Sequence, residues 1–333
     1  MAAKSITING KEYPVEPKEL PVSDLKFYPE NPRVYSVLNA QGGEPSQEEI
    51  LDVMIKLDSV KDLKEDIRNN GGLTDPLVVR GGDYVVLEGN SRLAAYHILC
   101  ASDPIRWGKV KCDVLPEDIS EDAIFTLLGK YHIKGKTNWD PYEQAGYLYR
   151  RATSSKTPIR KIAEDLGIQK SLAEKMINAY QSMIDHSDVD KAHFSYHLEY
   201  YKSPDINKVR VKHPELDEVV IQQVIDGSIS NAQDIRKLGT IAKLAEKQND
   251  KTAKKIIQGI VDGETDIYQG YDKLKDTGKL DDAYKTLNTF RMKIMGKDFE
   301  KQLDAADEDK ALFELRKIYN RITSLRKKLG DKW

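Results

Sequence analysis

Cysteine is scarce: Cys100 and Cys112 are the only two in 333 residues. Their spacing fits no metal motif and cannot build a disulfide framework, so both read as reduced thiols of a cytoplasmic protein. Net charge is nearly absent, -2 at pH 7. The chain therefore has no global nucleic-acid footprint, and any such surface must be a local patch. Long apolar runs are missing as well, with 32% charged residues and a mean hydropathy of -0.59, which excludes a helical membrane span. Met1 to Gly10 lacks the apolar core of a signal peptide. No cluster of carboxylates suits two metal ions, which weakens a nuclease reading and leaves any metal ligand unknown. What is present is length, enough for two or three domains.

The chain is organised around Tyr84 to Leu99, YVVLEGNSRLAAYHIL. Tyr84 to Leu87 is a short apolar, β-branched run of strand character, while Leu93, Tyr96 and His97 recur at helical spacing. A strand thus turns directly into a helix at Glu88-Gly89-Asn90-Ser91-Arg92. Glycine permits the tight turn, and the amides that follow have no partner inside the helix. Together with the helix dipole and Arg92 they make an anion site, suited to phosphate. The plainer alternative is an ordinary strand-helix turn with a solvated arginine.

Around it, Ser5 to Ile8 and Glu12 to Val15 flank Asn9-Gly10, the strongest short-range hairpin signal. In Tyr28-Pro29-Glu30-Asn31-Pro32-Arg33 two prolines argue against regular helix and place Arg33 on a stiff loop. Gln47 to Leu57 reads as an inserted amphipathic helix, and Val60 to Asn69 as a helix closed by Asn70-Gly71-Gly72. Leu77 to Arg80 and Tyr84 to Leu87 pair across Gly81-Gly82, and Val110 to Val114 adds a strand. This alternation predicts one small α/β domain over residues 1–118.

A helical domain is expected over 119–240. Ser120 caps its first helix, and Asp140, Pro141 and Glu143 restart a second. From Thr157 a helix-turn-helix pattern follows: Thr157 as cap, Pro158 as first helical residue, Gly167 at the turn, and Ile162, Leu166, Ile168, Leu172, Met176 and Ile177 as shared core. Between Arg150 and Tyr180 seven basic residues face three acidic ones, a local net of +4. The second helix would offer Gln169, Lys170, Ser171, Lys175 and Asn178 to double-stranded DNA, amides reading bases and lysines meeting phosphate. The same shape also serves as a protein-interaction module. His193 and His197, four apart on a helix, lack an evident third metal ligand and read as packing residues. Residues 241–333 are helical and highly charged. Ala311, Leu315, Ile318, Ile322, Leu325 and Leu329 alternate by four and three, a seam for a homodimer or for an intramolecular helix pair.

The order Asn31-Pro32-Arg33, then Gly72 to Val79 with Pro76, then Gly89 to Ala95 resembles the N-terminal domain of the ParB family. There an NPR segment, a "G-x-x-x-P" strand and a "GERRxRA" turn occur in that order. The turn here keeps the glycine, the second arginine and the last alanine, with Asn90 and Ser91 in place of the family's glutamate and first arginine. Related sulfiredoxins carry a reactive cysteine where Asn90 stands, which argues against that chemistry. Aligning Pro141 with the family's "LNP" helix start puts His132 and Lys136 on its "ENxxR" box, without the glutamate and asparagine that help hold magnesium. The alternative is that His132 ends a helix and Lys136 is solvated. Asp226 to Ile235 is similar to the family's "dGkLsaghA" segment, so the resemblance spans roughly residues 15–240.

The resemblance implies an α+β chain: a ParB-like α/β domain followed by all-α helix-turn-helix and C-terminal helical domains. It implies a cytoplasmic DNA-binding protein of plasmid, phage or mobile-element type, with no membrane partner, whose grip or dimerisation responds to a nucleoside triphosphate. CTP is favoured, ATP is the other candidate, and Mg2+ accompanies either. Asn31, Arg33, Gly72, Glu88, Gly89, Asn90, Ser91, Arg92, His132 and Lys136 would bind the nucleotide. The rival class is an NTPase or small-molecule kinase. In the related serine-kinase branch the turn reads "DGHHR", and Glu88 holds the place of that acid as candidate catalytic residue.

Overall fold

The computed structural model of the protein describes residues 4–38, 45–133, 139–276, 283–328 and 330; Lys136 and Leu329 lie outside them. The chain divides into two units, Met1–Gly239 and Thr240–Trp333.

In the first unit β1 (Ser5–Ile8) and β2 (Lys11–Pro14) form the expected hairpin, with Asn9 and Gly10 at φ of 49° and 77°. Both central residues have positive φ, as the commonest two-residue hairpin turn requires. The main sheet contains β3 (Glu16–Pro21), β4 (Lys26–Phe27), β5 (Leu77–Arg80), β6 (Val85–Glu88) and β7 (Lys109–Leu115), in the order β3-β7-β5-β6-β4. The β3/β7 and β5/β6 pairs are antiparallel, whereas β5/β7 and β4/β6 are parallel. Side chains alternate across it. Leu77, Val79, Val86, Val110 and Cys112 enter one core, and Val78, Val85, Leu87 and Leu115 enter the other.

The helices cover both faces, which makes the unit an α+β structure. Against the first face lie α1 (Pro32–Leu38), α2 (Gln47–Met54), α3 (Asp58–Asn70), α4 (Asn90–Ser102) and α5 (Pro104–Trp107). Against the second lie the hairpin with α6 (Glu121–His132), α7 (Pro141–Thr153), α8 (Ile159–Leu166), α9 (Lys170–Asp185) and α10 (Phe194–Lys202). The sheet and the helix-turn-helix layer therefore share one core. Ile124, Leu128, Leu148, Ile162 and Ala173 are buried in it beside the sheet residues. Gly129 is required there, because a Cβ would stand 2.2 Å from a Leu166 methyl group.

The segment around Arg33 corrects the expectation of a loop. Pro32 is the first residue of α1 and Arg33 the second. Proline fits there because that position has no intrahelical use for an N–H. Asn31 precedes the helix and its Oδ1 accepts from the Arg33 amide at 3.2 Å. At the helix-turn-helix, Pro158 is extended (φ -58°, ψ 137°) and α8 starts at Ile159, one residue later than its proline suggested.

The chain continues through α11 (Pro204–Lys212), α12 (Leu216–Ile225) and α13 (Ile235–Lys247), within which the division between units falls. The second unit adds α14 (Lys251–Val261), α15 (Ile267–Asp276), α16 (Ala283–Ile294), α17 (Lys297–Asp304) and α18 (Glu308–Lys328). Close α14/α15 packing passes over Gly270, where a Cβ would meet Ile256 at 2.6 Å. On α18 the expected seam is uneven: Ala311, Ile318 and Leu325 are half-buried, while Leu315 and Ile322 are exposed. No helix among the described residues is long and apolar enough to cross a membrane.

Candidate functional site: the turn between β6 and α4

The β6-to-α4 turn is built as its sequence suggests. Gly89 has φ 99°, and a Cβ there would lie 2.6 Å from a Leu77 methyl and 3.1 Å from the Arg92 guanidinium. Only glycine meets both constraints. Leu93 N donates to Gly89 O at 2.9 Å, closing the first turn of α4, so Asn90, Ser91 and Arg92 are the residues whose amides have no acceptor within the helix.

Asn90 is spent on structure. Its Oδ1 accepts from Tyr28 N at 2.9 Å, its Nδ2 donates to Val86 O at 2.9 Å, and the residue is buried. It thereby ties the chain after β4 to the start of α4. Ser91 Oγ accepts from Arg33 Nη1 at 2.7 Å, which brings α1 onto the turn. Arg92 is clamped on three sides. Its Nη1 donates to Asp75 O at 2.6 Å and to Pro76 O at 3.2 Å, and its Nη2 pairs with Glu88.

These residues open on a cavity of about 850 Å³. Of the ten positions picked for a nucleotide, nine line it: Asn31, Arg33, Gly72, Glu88, Gly89, Asn90, Ser91, Arg92 and His132. Lys136 lies outside the described residues. His132 stacks on Trp139, with centroids 4.4 Å apart and planes at 16°, and its carbonyl accepts from Trp139 N at 3.0 Å. Burial pushes the Tyr131 hydroxyl to a higher pKa, and the Glu88 carboxylate adds to that shift.

Sequence reasoning missed part of the wall. Lys4 pairs with Asp113 at 2.5 Å, and both line the cavity with Lys130, Tyr131 and Trp139. One signal was available for Asp113: it is the only acid in β7, in a strand of otherwise apolar and basic residues. A protein-held divalent cation fits poorly. Of the four carboxylates on the cavity wall, Asp113 is paired with Lys4 and Glu88 with Arg92, while Asp66 accepts from Asn70 Nδ2 at 3.0 Å and Asp75 completes the set. Among the described residues no group of three metal-ligating side chains is assembled.

On the helix-turn-helix, Gly167 is left-handed at φ 61°, and Gln169 precedes α9. Gln169, Lys170, Ser171 and Asn178 are exposed and Lys175 is half-buried. Most of the basic side chains behind the local +4 charge have partners. Lys170 pairs with Glu174 at 3.0 Å, Arg160 with Glu164 at 2.8 Å, and Lys161 with Asp165 at 2.5 Å. Arg151 reaches Asp122, while Arg150 stacks on Tyr35 of α1.

His193 and His197 share a carboxylate instead of a metal. Asp188 meets His193 Nδ1 at 3.0 Å and His197 Nε2 at 3.1 Å, and His197 Nδ1 lies 2.9 Å from Ser182 Oγ. Ser182, Asp188 and His197 are buried, and the array joins α9 to α10 as a packing contact.

No family model and no curated protein matches the chain. Among solved structures it is similar to a Pnob8-like ParB-N domain, at 13% identity and a TM-score of 0.46, over 75% of this chain and 99% of that one. It is also similar to C-terminally truncated chromosome-partitioning protein ParB from Caulobacter crescentus complexed to the centromeric parS site, at 14% identity and a TM-score of 0.34, over 67% of this chain and 98% of that one. The same Caulobacter protein complexed with CTP-gamma-S gives 15% identity and a TM-score of 0.23, over 62% of this chain and 99% of that one. All three are structures of ParB proteins.

Proposed function

We propose that the protein is a divergent ParB-like DNA-binding protein whose hold on double-stranded DNA responds to a nucleoside triphosphate bound in the cavity beside Gly89. One observation carries this reading: nine positions drawn from four separate sequence segments line one cavity around a helix N-terminus with Arg33 and Arg92. Such a turn suits phosphate, through free amides, the helix dipole and guanidinium groups. The cavity is of the size that holds a nucleotide. CTP is favoured over ATP by resemblance to ParB, one of whose structures holds CTP-gamma-S. Mg2+ would arrive on the triphosphate oxygens, since among the described residues no group of three metal-ligating side chains is assembled to hold it. DNA would meet the exposed start of α9, and the exposed Leu315 and Ile322 on α18 would serve a homodimer.

Glu88 gives the kinase reading little support, because its carboxylate is committed to Arg92. Calorimetric titration with CTP, ATP, GTP and UTP, repeated with duplex DNA present, tests the proposal. Binding of one triphosphate that shifts DNA affinity is the expected result. Absence of binding by all four would sink it.

A further inference from the structure

Arg92 is the cation at the phosphate turn, yet in the structure it already has an anion. Glu88, the last residue of β6, lies four residues before it across the Gly89 turn and its carboxylate pairs with Nη2, and both side chains are about one-sixth exposed, at 16% and 17%. The other terminal nitrogen is taken by the Asp75 and Pro76 carbonyls. The guanidinium also lies against Gly89, 3.1 Å from the position a Cβ would take, so it covers the turn that an incoming phosphate must reach. Arg33, on the same cavity, rests on the neutral Ser91 hydroxyl instead.

We infer that Glu88 is a built-in competitor for Arg92, an autoinhibitory counter-ion that a phosphate ligand has to displace before the turn can bind it. The inference rests on the phosphate-site reading of the Gly89 turn. A carboxylate tethered four residues from its partner acts at high effective concentration, and a free anion competes against it at a disadvantage. Leaving Glu88 in place while a phosphate enters would bring two negative charges together in a poorly hydrated corner, which is costlier there than in water. Entry therefore requires Glu88 to swing away, and a polyphosphate that also reaches Arg33 and the α4 amides can offset that step. Glu88 thus sets the concentration at which the turn responds.

A double-mutant cycle tests this, with CTP as probe and calorimetry as readout. Glu88→Gln should bind CTP about tenfold more tightly than the wild type, since the neutral amide holds Arg92 only weakly. Arg92→Ala should bind more weakly. In the Arg92→Ala background, Glu88→Gln should gain less than about twofold, because the competition has lost its object. Glu88→Ala serves as a second variant, and thermal melts check that each folds. The inference is overturned if Glu88→Gln and Glu88→Ala bind no better than wild type, or if the gain persists without Arg92. If Arg92→Ala binds as the wild type does, the phosphate-site reading fails and this inference falls with it.

Discussion

The guanidinium carbon of Arg150 lies 3.8 Å from the ring centre of Tyr35, joining α7 to α1 across 115 residues of sequence. Arg150 Nε and Nη2 are buried with no hydrogen-bond partner among the described residues. The ring face is therefore their main compensation, an attraction of about 0.5–2 kcal/mol for a desolvated pair. This contact stands between the two proposed binding functions. Arg33, two residues before Tyr35, lines the cavity, while α7 packs against α9 so closely that a Cβ on Gly146 would touch the Tyr180 ring at 2.9 Å.

Tyr35→Leu should leave the intrinsic CTP and DNA affinities within about twofold and reduce the effect of CTP on DNA binding. Fluorescence anisotropy of labelled duplex, with and without CTP, measures that difference. An unchanged CTP effect in Tyr35→Leu would show that α1 does not couple the two sites.

Asn90→Ala tests whether this side chain supports the fold. Its removal leaves the Tyr28 amide and the Val86 carbonyl unpaired in the interior. Stability should fall by about 1–3 kcal/mol in urea titration, the usual cost of an orphaned buried polar group. CTP affinity of the folded variant should change less than in Arg92→Ala; an equal loss in both would make Asn90 a ligand contact.

At the helix-turn-helix, Lys170 and Lys175 are expected to meet phosphate. Lys170 would exchange Glu174 for DNA at little cost, since exposed pairs of this kind are worth about 0–1 kcal/mol. Replacing either lysine with alanine should lower the salt slope of DNA binding by about one unit and weaken all sequences alike. Gln169→Ala should instead cost roughly 1–3 kcal/mol on a preferred site and little elsewhere. A double Lys170→Ala, Lys175→Ala variant that binds duplex like wild type across a salt titration would make this an interaction module.

Burial pushes the His197 pKa below its ordinary value, against the pull of the Asp188 hydrogen bond and with His186 and His193 adding to the downward shift. The folded protein therefore keeps His197 neutral where the unfolded chain protonates it, at a pH of about 6.5. Stability should decline as pH falls from there toward the folded pKa, by at most about 1.4 kcal/mol per pH unit for this proton. Urea titrations between pH 8 and 5 on wild type and His197→Gln measure the slope. The variant should be flatter over that range, and identical slopes would remove His197 as the source.

Much of this was legible because it depends on neighbours in sequence. Asn9-Gly10 specifies its own turn, and Gly89 sits where a strand period gives way to a helical one. The pairing of Glu88 with Arg92 was less legible, because Glu88 ends β6 and meets Arg92 of α4 only through the left-handed turn at Gly89. Pro32 misled because proline is read as a breaker, whereas the residue before it, Asn31, supplies the cap that makes a first-turn proline favourable. β3 was not visible, since Glu16-Pro17-Lys18-Glu19-Leu20-Pro21 has neither alternation nor β-branched residues and is a strand only through its pairing with β7. The Lys4 to Asp113 wall of the cavity joins residues 109 positions apart, a relationship no local pattern carries.

The composition of that same strand has a bearing on how copies of the protein can meet. β3 is one edge of the main sheet, and β4, only two residues long, is the other. Pro17 and Pro21 offer no N–H to an incoming chain, and Glu16, Lys18 and Glu19 surround the remaining groups with charge. Short, charged or proline-bearing edges resist strand-to-strand addition. Copies of the protein at high concentration would thus be kept from fusing their sheets into aggregates, and self-association would be left to helical surfaces, where it can be reversible.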